Sequence, residues 1–309
     1  MKISIVGPGA LGTLLAVNLA RHKNEVCLID NSAERAKRLS ETGLRVEGAG
    51  GNIRQKIKVK ADARDVRDSA AVFLCVKSYD TENAITYVKD SLKSDAYVIS
   101  LQDGAGNLQL ISEYIEPDRV IGGVTSQCAA PVGEGGVRHL LKGETIIGQK
   151  NGKVLGGIRE ISSMLNKANF PTKVTKDINS VIWSRLIIDS GVNATSAVTR
   201  LRNGMLVKND FTRELMRRTV SEAVKVAKRK RIKLSYDDPI QKAESVCRAN
   251  PDTISPMLKD VLEQKQTEID YINGTIIRQG KSLAIKTPTN EMLLELVKAI
   301  ETNYPNSVR

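Results

Sequence analysis

The chain has 309 residues, 41% hydrophobic and 27% charged, a composition that excludes extensive disorder and allows two folded domains. Its net charge of +12 favours anionic ligands. The densest basic run, residues 225–233, lacks the interleaved aromatic residues that stack on nucleic-acid bases. We therefore interpret this run as the exposed end of a helix, with a phosphate-facing or interface patch as the alternative, and expect no nucleic-acid partner.

The sequence also disfavours export, membrane insertion and a metal site. No run approaches the roughly 18 uninterrupted apolar residues of a membrane helix, and the N-terminus reads as a strand that runs into glycines, unlike a signal peptide. We expect a cytoplasmic protein. The cysteines are scattered without partnering histidines, so we expect neither disulfides nor bound metal; they are Cys27, Cys75, Cys128 and Cys247.

The first half alternates short apolar runs with helical patterns. Continuous apolar runs are typical of strands buried on both faces of a parallel sheet, and alternating strands and helices predict a Rossmann-type doubly wound α/β sheet. The predicted strands are residues 2–6, 25–29, 71–76 and 97–101, and the predicted helices are residues 10–21, 81–92 and 107–115. Three further strands, at 120–124, 136–140 and 144–147, are expected to extend the sheet in antiparallel fashion.

From about residue 178 the pattern is almost entirely helical, which predicts an all-α second domain. We place the boundary after residue 176, so that residues 1–176 bind a dinucleotide and residues 177–309 form a helical substrate and dimerisation domain. The predicted helices are residues 178–193, 211–230, 239–248, 255–283 and 290–302.

A glycine-rich turn directly follows the first predicted strand and opens the first helix. The pattern Gly-x-Gly-x-x-Gly in this context predicts a dinucleotide site: the glycines allow a tight turn, close approach of backbone to a pyrophosphate, and close packing of helix and strand. The candidate cofactor-binding residues of this turn are Gly7, Pro8, Gly9, Ala10, Leu11 and Gly12.

An acidic residue that ends the second strand usually binds the ribose hydroxyls of the cofactor. Asp30 is in this position, 18 residues after Gly12, and Asn31 follows it. A carboxylate here favours NADH and repels the 2′-phosphate of NADPH. Arg35, one helical turn further on, offers an alternative phosphate contact.

Motifs along nearly the whole chain resemble ketopantoate reductase (2-dehydropantoate 2-reductase). The most specific is the TEIDYINGTII segment at 267–277, and the others are GPGALG at 7–12, VKSYDT at 76–81, LQDGAGN at 101–107, GGVTS…ETIIG within 122–148 and WSRLIIDSGVNATSA at 183–197. The resemblance implies a Rossmann domain, a C-terminal domain like that of 6-phosphogluconate dehydrogenase, and a substrate cleft between them. It also implies NADPH-dependent reduction of ketopantoate to pantoate, a step toward pantothenate and coenzyme A.

Reduction of a 2-oxo acid needs a hydride donor, a group that polarises and protonates the ketone, and a clamp for the carboxylate. Lys77 follows a predicted strand at the sheet edge where ligands bind, and the matching lysine of the family faces nicotinamide and substrate. Asp103 and Gly104 follow the next strand as cofactor-binding candidates. The resemblance also makes Asn193 a substrate-binding residue and Glu268 a catalytic one, although an exposed carboxylate at a helix start is the alternative for Glu268.

Several functional positions depart from the family pattern. Arg185 replaces the catalytic lysine, and a guanidinium releases a proton poorly. Asp103 and Asp189 replace asparagines, and Pro256 replaces a serine, although Ser255 stands beside it. Arg185 and Asp189 are four residues apart, so an ion pair is available, either as a surface contact or as part of a remodelled substrate pocket in which Asp189 and Ser255 bind substrate.

Three functions remain open from the sequence. The first is reduction of a small 2-oxo acid, with Lys77 or Arg185 polarising the ketone and Glu268 positioning the substrate. The second is a dehydrogenase of another hydroxy-, oxo- or amino-substrate, with Asp103 or Asp189 receiving a cationic group. The third is a non-catalytic protein that binds NAD(P). The long C-terminal helices are compatible with a homodimer.

Overall fold

A computed structural model of the chain describes residues 1–306, which divide into two compact units. The first unit comprises residues 1–102 and 107–178, and the second begins with residues 103–106 and continues from residue 179. The main division at residue 178 lies close to the predicted boundary at 176. The grouping of residues 103–106 with the helical unit was not predicted, and it matters because Asp103 and Gly104 lie there.

The first unit, residues 1–102 and 107–178, contains twelve strands and five α-helices. Its helices are α1 (Ala10–Arg21), α2 (Ala33–Thr42), α3 (Thr81–Val88), α4 (Asn107–Ser112) and α5 (Gly156–Lys167). Its strands are β1 (Lys2–Val6), β2 (Glu25–Ile29), β3 (Leu44–Gly48), β4 (Ile53–Gln55), β5 (Lys58–Lys60), β6 (Ala71–Leu74), β7 (Tyr97–Ser100), β8 (Val120–Thr125), β9 (Cys128–Pro131), β10 (Gly136–Leu141), β11 (Thr145–Gly148) and β12 (Thr172–Val174).

An eight-stranded sheet forms the centre of this unit, in the order β12-β11-β8-β7-β6-β1-β2-β5. The strands from β8 to β5 are mutually parallel, and Ile3 of β1 is in register with Val26 of β2 and Ala71 of β6. Ile3 and Ile5 pack into one hydrophobic cluster, whereas Val6 packs into another, because alternate side chains enter opposite faces. The predicted doubly wound α/β fold is confirmed.

The prediction of three antiparallel strands after residue 120 was correct only in part. β11 is antiparallel to β8, but β8 itself is parallel to β7, since a helical crossover through α4 connects them. β10 belongs to a separate four-stranded sheet, in the order β4-β3-β10-β9. Its partner β3 was missed because LRVEG is a short sequence with two charged residues, which gives no continuous apolar run.

The second unit is helical, with no strand among its described residues. The helices are α6 (Ile178–Thr199), α7 (Asn203–Lys208), α8 (Asp210–Arg229), α9 (Pro239–Ala249), α10 (Pro256–Leu262), α11 (Asn273–Ser282) and α12 (Pro288–Thr302). The basic residues near the end of α8 are exposed, as expected for the solvated end of a helix. No helix within residues 1–306 has the length and apolar character needed to cross a membrane.

One predicted helix, residues 255–283, is wrong as a continuous element. α10 ends at Leu262, Gln264 adopts a positive φ of 54°, and a turn segment continues to Ile272. Thr267 Oγ1 accepts a hydrogen bond from Ile269 N at 3.2 Å, a local contact that competes with helix formation. The isoleucines at 269, 272 and 276 keep helical spacing across the break, so the hydrophobic pattern alone could not show it.

Candidate functional site

The glycine-rich turn lies where β1 ends and α1 begins. Gly7 has φ +104°, a conformation that favours glycine, and its N–H donates to Ile29 O at 3.0 Å. A Cβ on Gly12 would lie 2.1 Å from Gly7 O, which no real side chain tolerates. The turn therefore requires glycine at both positions, because it brings the helix and strand very close together.

The start of α1 fits an anionic group. Gly9 is exposed, caps the helix without a capping side chain, and is followed by a first turn without acidic residues. The first N–H groups of a helix have no intrahelical partners and carry a partial positive charge. Pro8, Ala10 and Leu11 are partly exposed around these groups. The arrangement fits a dinucleotide pyrophosphate.

The carboxylate of Asp30, the predicted ribose ligand, accepts hydrogen bonds from neighbouring residues of the first unit. Arg35 Nε donates to Asp30 Oδ2 at 2.6 Å, Arg35 Nη2 donates to Asp30 Oδ1 at 2.5 Å, and Ser32 N donates to the same Oδ1 at 3.0 Å. The Asp30 side chain is 0% exposed, whereas that of Arg35 is 42% exposed. Arg35 Nη2 also donates to Asn31 Oδ1 at 3.3 Å. The accessible group at the end of β2 is thus the guanidinium rather than the carboxylate.

Lys77 lies at the carboxyl edge of the main sheet, just beyond β6 and before a 3-10 turn at Ser78–Asp80. Since β1, β6 and β7 are parallel, this edge also carries the glycine-rich turn and Gln102. Gln102 Nε2 donates to Val76 O at 3.0 Å and to Thr81 Oγ1 at 2.8 Å. These contacts hold the backbone of Val76 and the side chain of Thr81, which lie on either side of Lys77.

A buried amide completes the support of this loop. Asn107 Nδ2 donates to Ser78 Oγ at 3.1 Å, and Asn107 Oδ1 accepts from Thr81 Oγ1 at 3.1 Å. Sequence reasoning missed the roles of Gln102, Thr81 and Asn107. Gln102 and Asn107 are the first polar residue and the last residue of the LQDGAGN motif, so the signal was a run of hydrogen-bonding side chains after a buried strand.

The second unit holds a cluster of charges on α6. Arg185 Nε donates to Asp189 Oδ2 at 2.6 Å, with 34% of the arginine side chain and 7% of the aspartate side chain exposed. The predicted pair is therefore formed, and it is largely buried on the carboxylate side. The negative charge of Asp189 is the main cause that raises the pKa of the Arg185 guanidinium, and the charge of Asp103 acts in the same direction.

Asp189 has an unusual electrostatic environment. Burial is the main cause that raises the pKa of its carboxyl to about 6, and the charges of Asp103 and Glu268 act in the same direction, against Arg185. These interactions place four predicted site residues in one cluster of the second unit. A raised pKa in such a cluster is typical of functional sites.

Gly104 and Glu268 are both held within this unit. Gly104 has φ +86°, and a Cβ there would lie 2.9 Å from Tyr271 O, to which Ala105 N donates at 3.3 Å. The close approach that Gly104 allows is thus to Tyr271, and an approach to a cofactor stays a prediction. Glu268 is 7% exposed in the segment before α11, so it is not an exposed carboxylate at a helix start.

The two remaining substrate candidates differ in their surroundings. Asn193 is 4% exposed on α6, on the same helical face as Arg185 and Asp189. Ser255 is 1% exposed and caps α10, where its Oγ accepts from Leu258 N at 3.1 Å and Pro256 takes the first helical position. These contacts give Ser255 a structural role. Among residues 1–306, no group of three or more His, Cys, Asp or Glu side chains is arranged to hold a metal ion.

Two protein-family models match the chain. The model described as "Ketopantoate reductase PanE/ApbA" matches residues 3–152, and "Ketopantoate reductase PanE/ApbA C terminal" matches residues 177–301. The chain is 32% identical over 302 residues to a 2-dehydropantoate 2-reductase of Pyrococcus horikoshii, with 98% of each chain covered. It is 30% identical over 299 residues to a 2-dehydropantoate 2-reductase of Halobacterium salinarum, with 96% of this chain and 98% of the relative covered.

Two solved structures are also similar to this chain over nearly its whole length. A PanE/ApbA family ketopantoate reductase from Ralstonia eutropha JMP134 matches with a TM-score of 0.92 and 31% identity, covering 99% of this chain and 100% of that one. D-mandelate dehydrogenase, in a ternary structure with NADH and anilino(oxo)acetate, matches with a TM-score of 0.92 and 26% identity, covering 99% of this chain and 100% of that one.

Proposed function

Because the chain belongs to the ketopantoate reductase family, we propose that it reduces a 2-oxo acid with NAD(P)H and that the acid is 2-dehydropantoate (ketopantoate). The product would be pantoate, an intermediate toward pantothenate and coenzyme A, in agreement with the predicted cytoplasmic location. The matches confirm the family and the class of enzyme, an oxidoreductase, that the sequence predicted. The observation that carries the proposal is Arg185, a partly exposed cation held in place by a buried carboxylate.

Arg185 suits the carboxylate of a 2-oxo acid. A guanidinium binds carboxylates through paired N–H groups, and fixing it through Nε lowers the entropy cost of binding. It releases a proton poorly, so we assign the protonation of the ketone oxygen to Lys77. Glu268 positions the substrate, and Asn193 lies on the Arg185 face of α6 as a further polar group. Overall, the 2-oxo acid, NAD(P)H and a proton give the 2-hydroxy acid and NAD(P)+.

The glycine-rich turn supports binding of the cofactor, whose nicotinamide supplies the hydride when bound. The exposed N–H groups at the start of α1 would receive the pyrophosphate. The contacts of Asp30 favour NADPH over the NADH that Asp30 and Asn31 suggested from sequence. The carboxylate is enclosed and neutralised by Arg35, and the exposed guanidinium offers a partner for the 2′-phosphate.

The role of Lys77 is tested by replacement. Lys77→Ala should lower kcat by about 10²- to 10⁴-fold, as expected for loss of a general acid, while NADPH still binds. Turnover is followed by loss of nicotinamide absorbance and binding by cofactor fluorescence. Lys93→Ala, an exposed lysine of the same unit, is the control and should be unaffected. Unchanged turnover of Lys77→Ala would remove Lys77 from the mechanism.

A second candidate function is reduction of a different 2-oxo acid. It is favoured by Asp103 and Asp189, which replace neutral amides of the family pattern, and by the structural similarity to D-mandelate dehydrogenase. Extra carboxylates disfavour a second anionic group on the substrate and favour hydroxyl or amine groups. The triple variant Arg185→Lys, Asp103→Asn, Asp189→Asn should then gain ketopantoate activity in kcat, and not only in KM, relative to the unmodified chain. No gain would count against this candidate.

A further inference from the structure

The segment between α10 and α11 carries Glu268 but forms no helix of its own. Its position is set by contacts from the C-terminal part of the chain, where three side chains spaced three residues apart reach it: Lys298 and Glu301 of α12, and Tyr304 just beyond. Such spacing puts the two helical residues on one face. The three side chains contact Asp270, Thr267 and Lys265, respectively, which lie on both sides of Glu268.

Glu301 makes the contacts nearest to Glu268. Its Oε1 accepts hydrogen bonds from Thr267 N at 2.8 Å and from Thr267 Oγ1 at 2.5 Å, and its side chain is only 8% exposed. Thr267 immediately precedes Glu268. Because a carboxylate that accepts a backbone N–H is a strong acceptor in a buried setting, this contact fixes the backbone of the residue before Glu268.

Lys298 contacts the segment on the C-terminal side of Glu268. Its Nζ lies 2.9 Å from Asp270 Oδ2 and 2.9 Å from Glu301 Oε2, so one ammonium joins the two carboxylates. Although burial opposes the charge, hydrogen bonds to Glu301 and Asp270 raise the pKa of Lys298. Tyr304 OH donates to Lys265 O at 2.7 Å. The segment is thereby held at three points along its length.

We propose that Glu301, which Lys298 joins to Asp270, is a positioning residue that sets the position of Glu268 in the active site. The inference rests on the proposed function, in which Glu268 positions the substrate. A displacement of about 1 Å in a group that orients a substrate can cost about 10²-fold in rate. Glu301 itself does not touch the substrate, so its loss acts only through Glu268.

The test is a double-mutant cycle in the full-length protein. Glu301→Ala should lower kcat/KM for ketopantoate by about tenfold or more, with no change in the KM for NADPH. In the Glu268→Ala background the same change should have little further effect, because the group that it positions is gone. Glu301→Gln keeps an acceptor for Thr267 and should recover part of the activity. The exposed Glu295 of α12 supplies the control, Glu295→Ala.

A readout independent of activity accompanies the cycle. Amide hydrogen exchange at Thr267 and Ile269 should be faster in Glu301→Ala than in Glu295→Ala. The inference is overturned if Glu301→Ala retains full kcat/KM, if the losses of the two single variants add in the double variant, or if exchange of the segment is unchanged. Full activity of Glu268→Ala would instead overturn the proposed role of Glu268, so the two failures are distinguishable.

Discussion

Arg185 and Asp189 carry opposite charges in the cluster that we propose binds the substrate. Burial raises the pKa of Asp189, the charges of Asp103 and Glu268 act in the same direction, and the charge of Arg185 lowers it, so three carboxyl groups and one guanidinium interact in this cluster. An ionised Asp189 orients Arg185 but also repels the carboxylate of a 2-oxo acid, whereas a protonated Asp189 still accepts the Arg185 hydrogen bond without that repulsion.

The charge of Asp189 predicts how substrate binding depends on pH. The pKa of Asp189 is raised to about 6, so the carboxyl gains a proton, and loses its charge, as the pH falls through 6. The KM for ketopantoate should fall by about tenfold between pH 7 and pH 5 if binding is coupled to this proton. Steady-state kinetics of Asp189→Asn should give a low KM that is nearly constant over that range. A KM that rises on acidification in the unmodified chain would refute this assignment.

Arg35 gives the corresponding prediction for the cofactor. Arg35→Ala should raise the KM for NADPH by tenfold or more, because a charge-assisted contact with the 2′-phosphate contributes about 1.5–3 kcal/mol, while the KM for NADH changes little. Arg38→Ala, on the same helix and paired with Glu34 and Glu134, is the matched control. Equal effects on the two cofactors, or a wild-type preference for NADH, would argue against NADPH.

At the scale of elements, local patterns were predictable and distant contacts were not. β1, α1 and β2 have the predicted bounds, because each is a continuous pattern between glycines or polar residues. β4 and β5 are three-residue strands that leave almost no periodic signal. The anchoring of Thr267 depends on Glu301, 34 residues away, so the local sequence could not reveal it.

The packing of α1 against β1 yields a prediction for the dinucleotide turn. Gly12→Ala would place a Cβ 2.1 Å from Gly7 O, so the helix or the turn must move. We expect a loss of about 1–3 kcal/mol in the free energy of unfolding and weaker NADPH binding, measured by denaturant titration and cofactor fluorescence. Gly156→Ala, at the start of α5, has nothing within 4 Å of the added Cβ and serves as the control. A Gly12→Ala protein that binds NADPH normally would contradict the turn's role.

At the scale of the whole molecule, the family resemblance was predictable because its motifs are spread along nearly the entire chain. The same motifs predicted Lys77, Arg185, Asp189 and Glu268 as site residues and the pairing of Arg185 with Asp189, but not the groups that hold Lys77 and Glu268. Gln102 and Asn107 fix the loop that carries Lys77, and Glu301 fixes the segment that carries Glu268. The assignment of the two units as cofactor and substrate domains, and the homodimer, stay predictions.

The most direct test of the proposed function is turnover of ketopantoate by the purified full-length chain. NADPH and NADH oxidation should be followed with ketopantoate and, in parallel, with an aryl 2-oxo acid, and the product identified by mass spectrometry. We predict stoichiometric conversion of ketopantoate to pantoate, faster with NADPH than with NADH. Tight NADPH binding without oxidation in the presence of either acid would contradict the proposal and indicate a non-catalytic NAD(P)-binding protein.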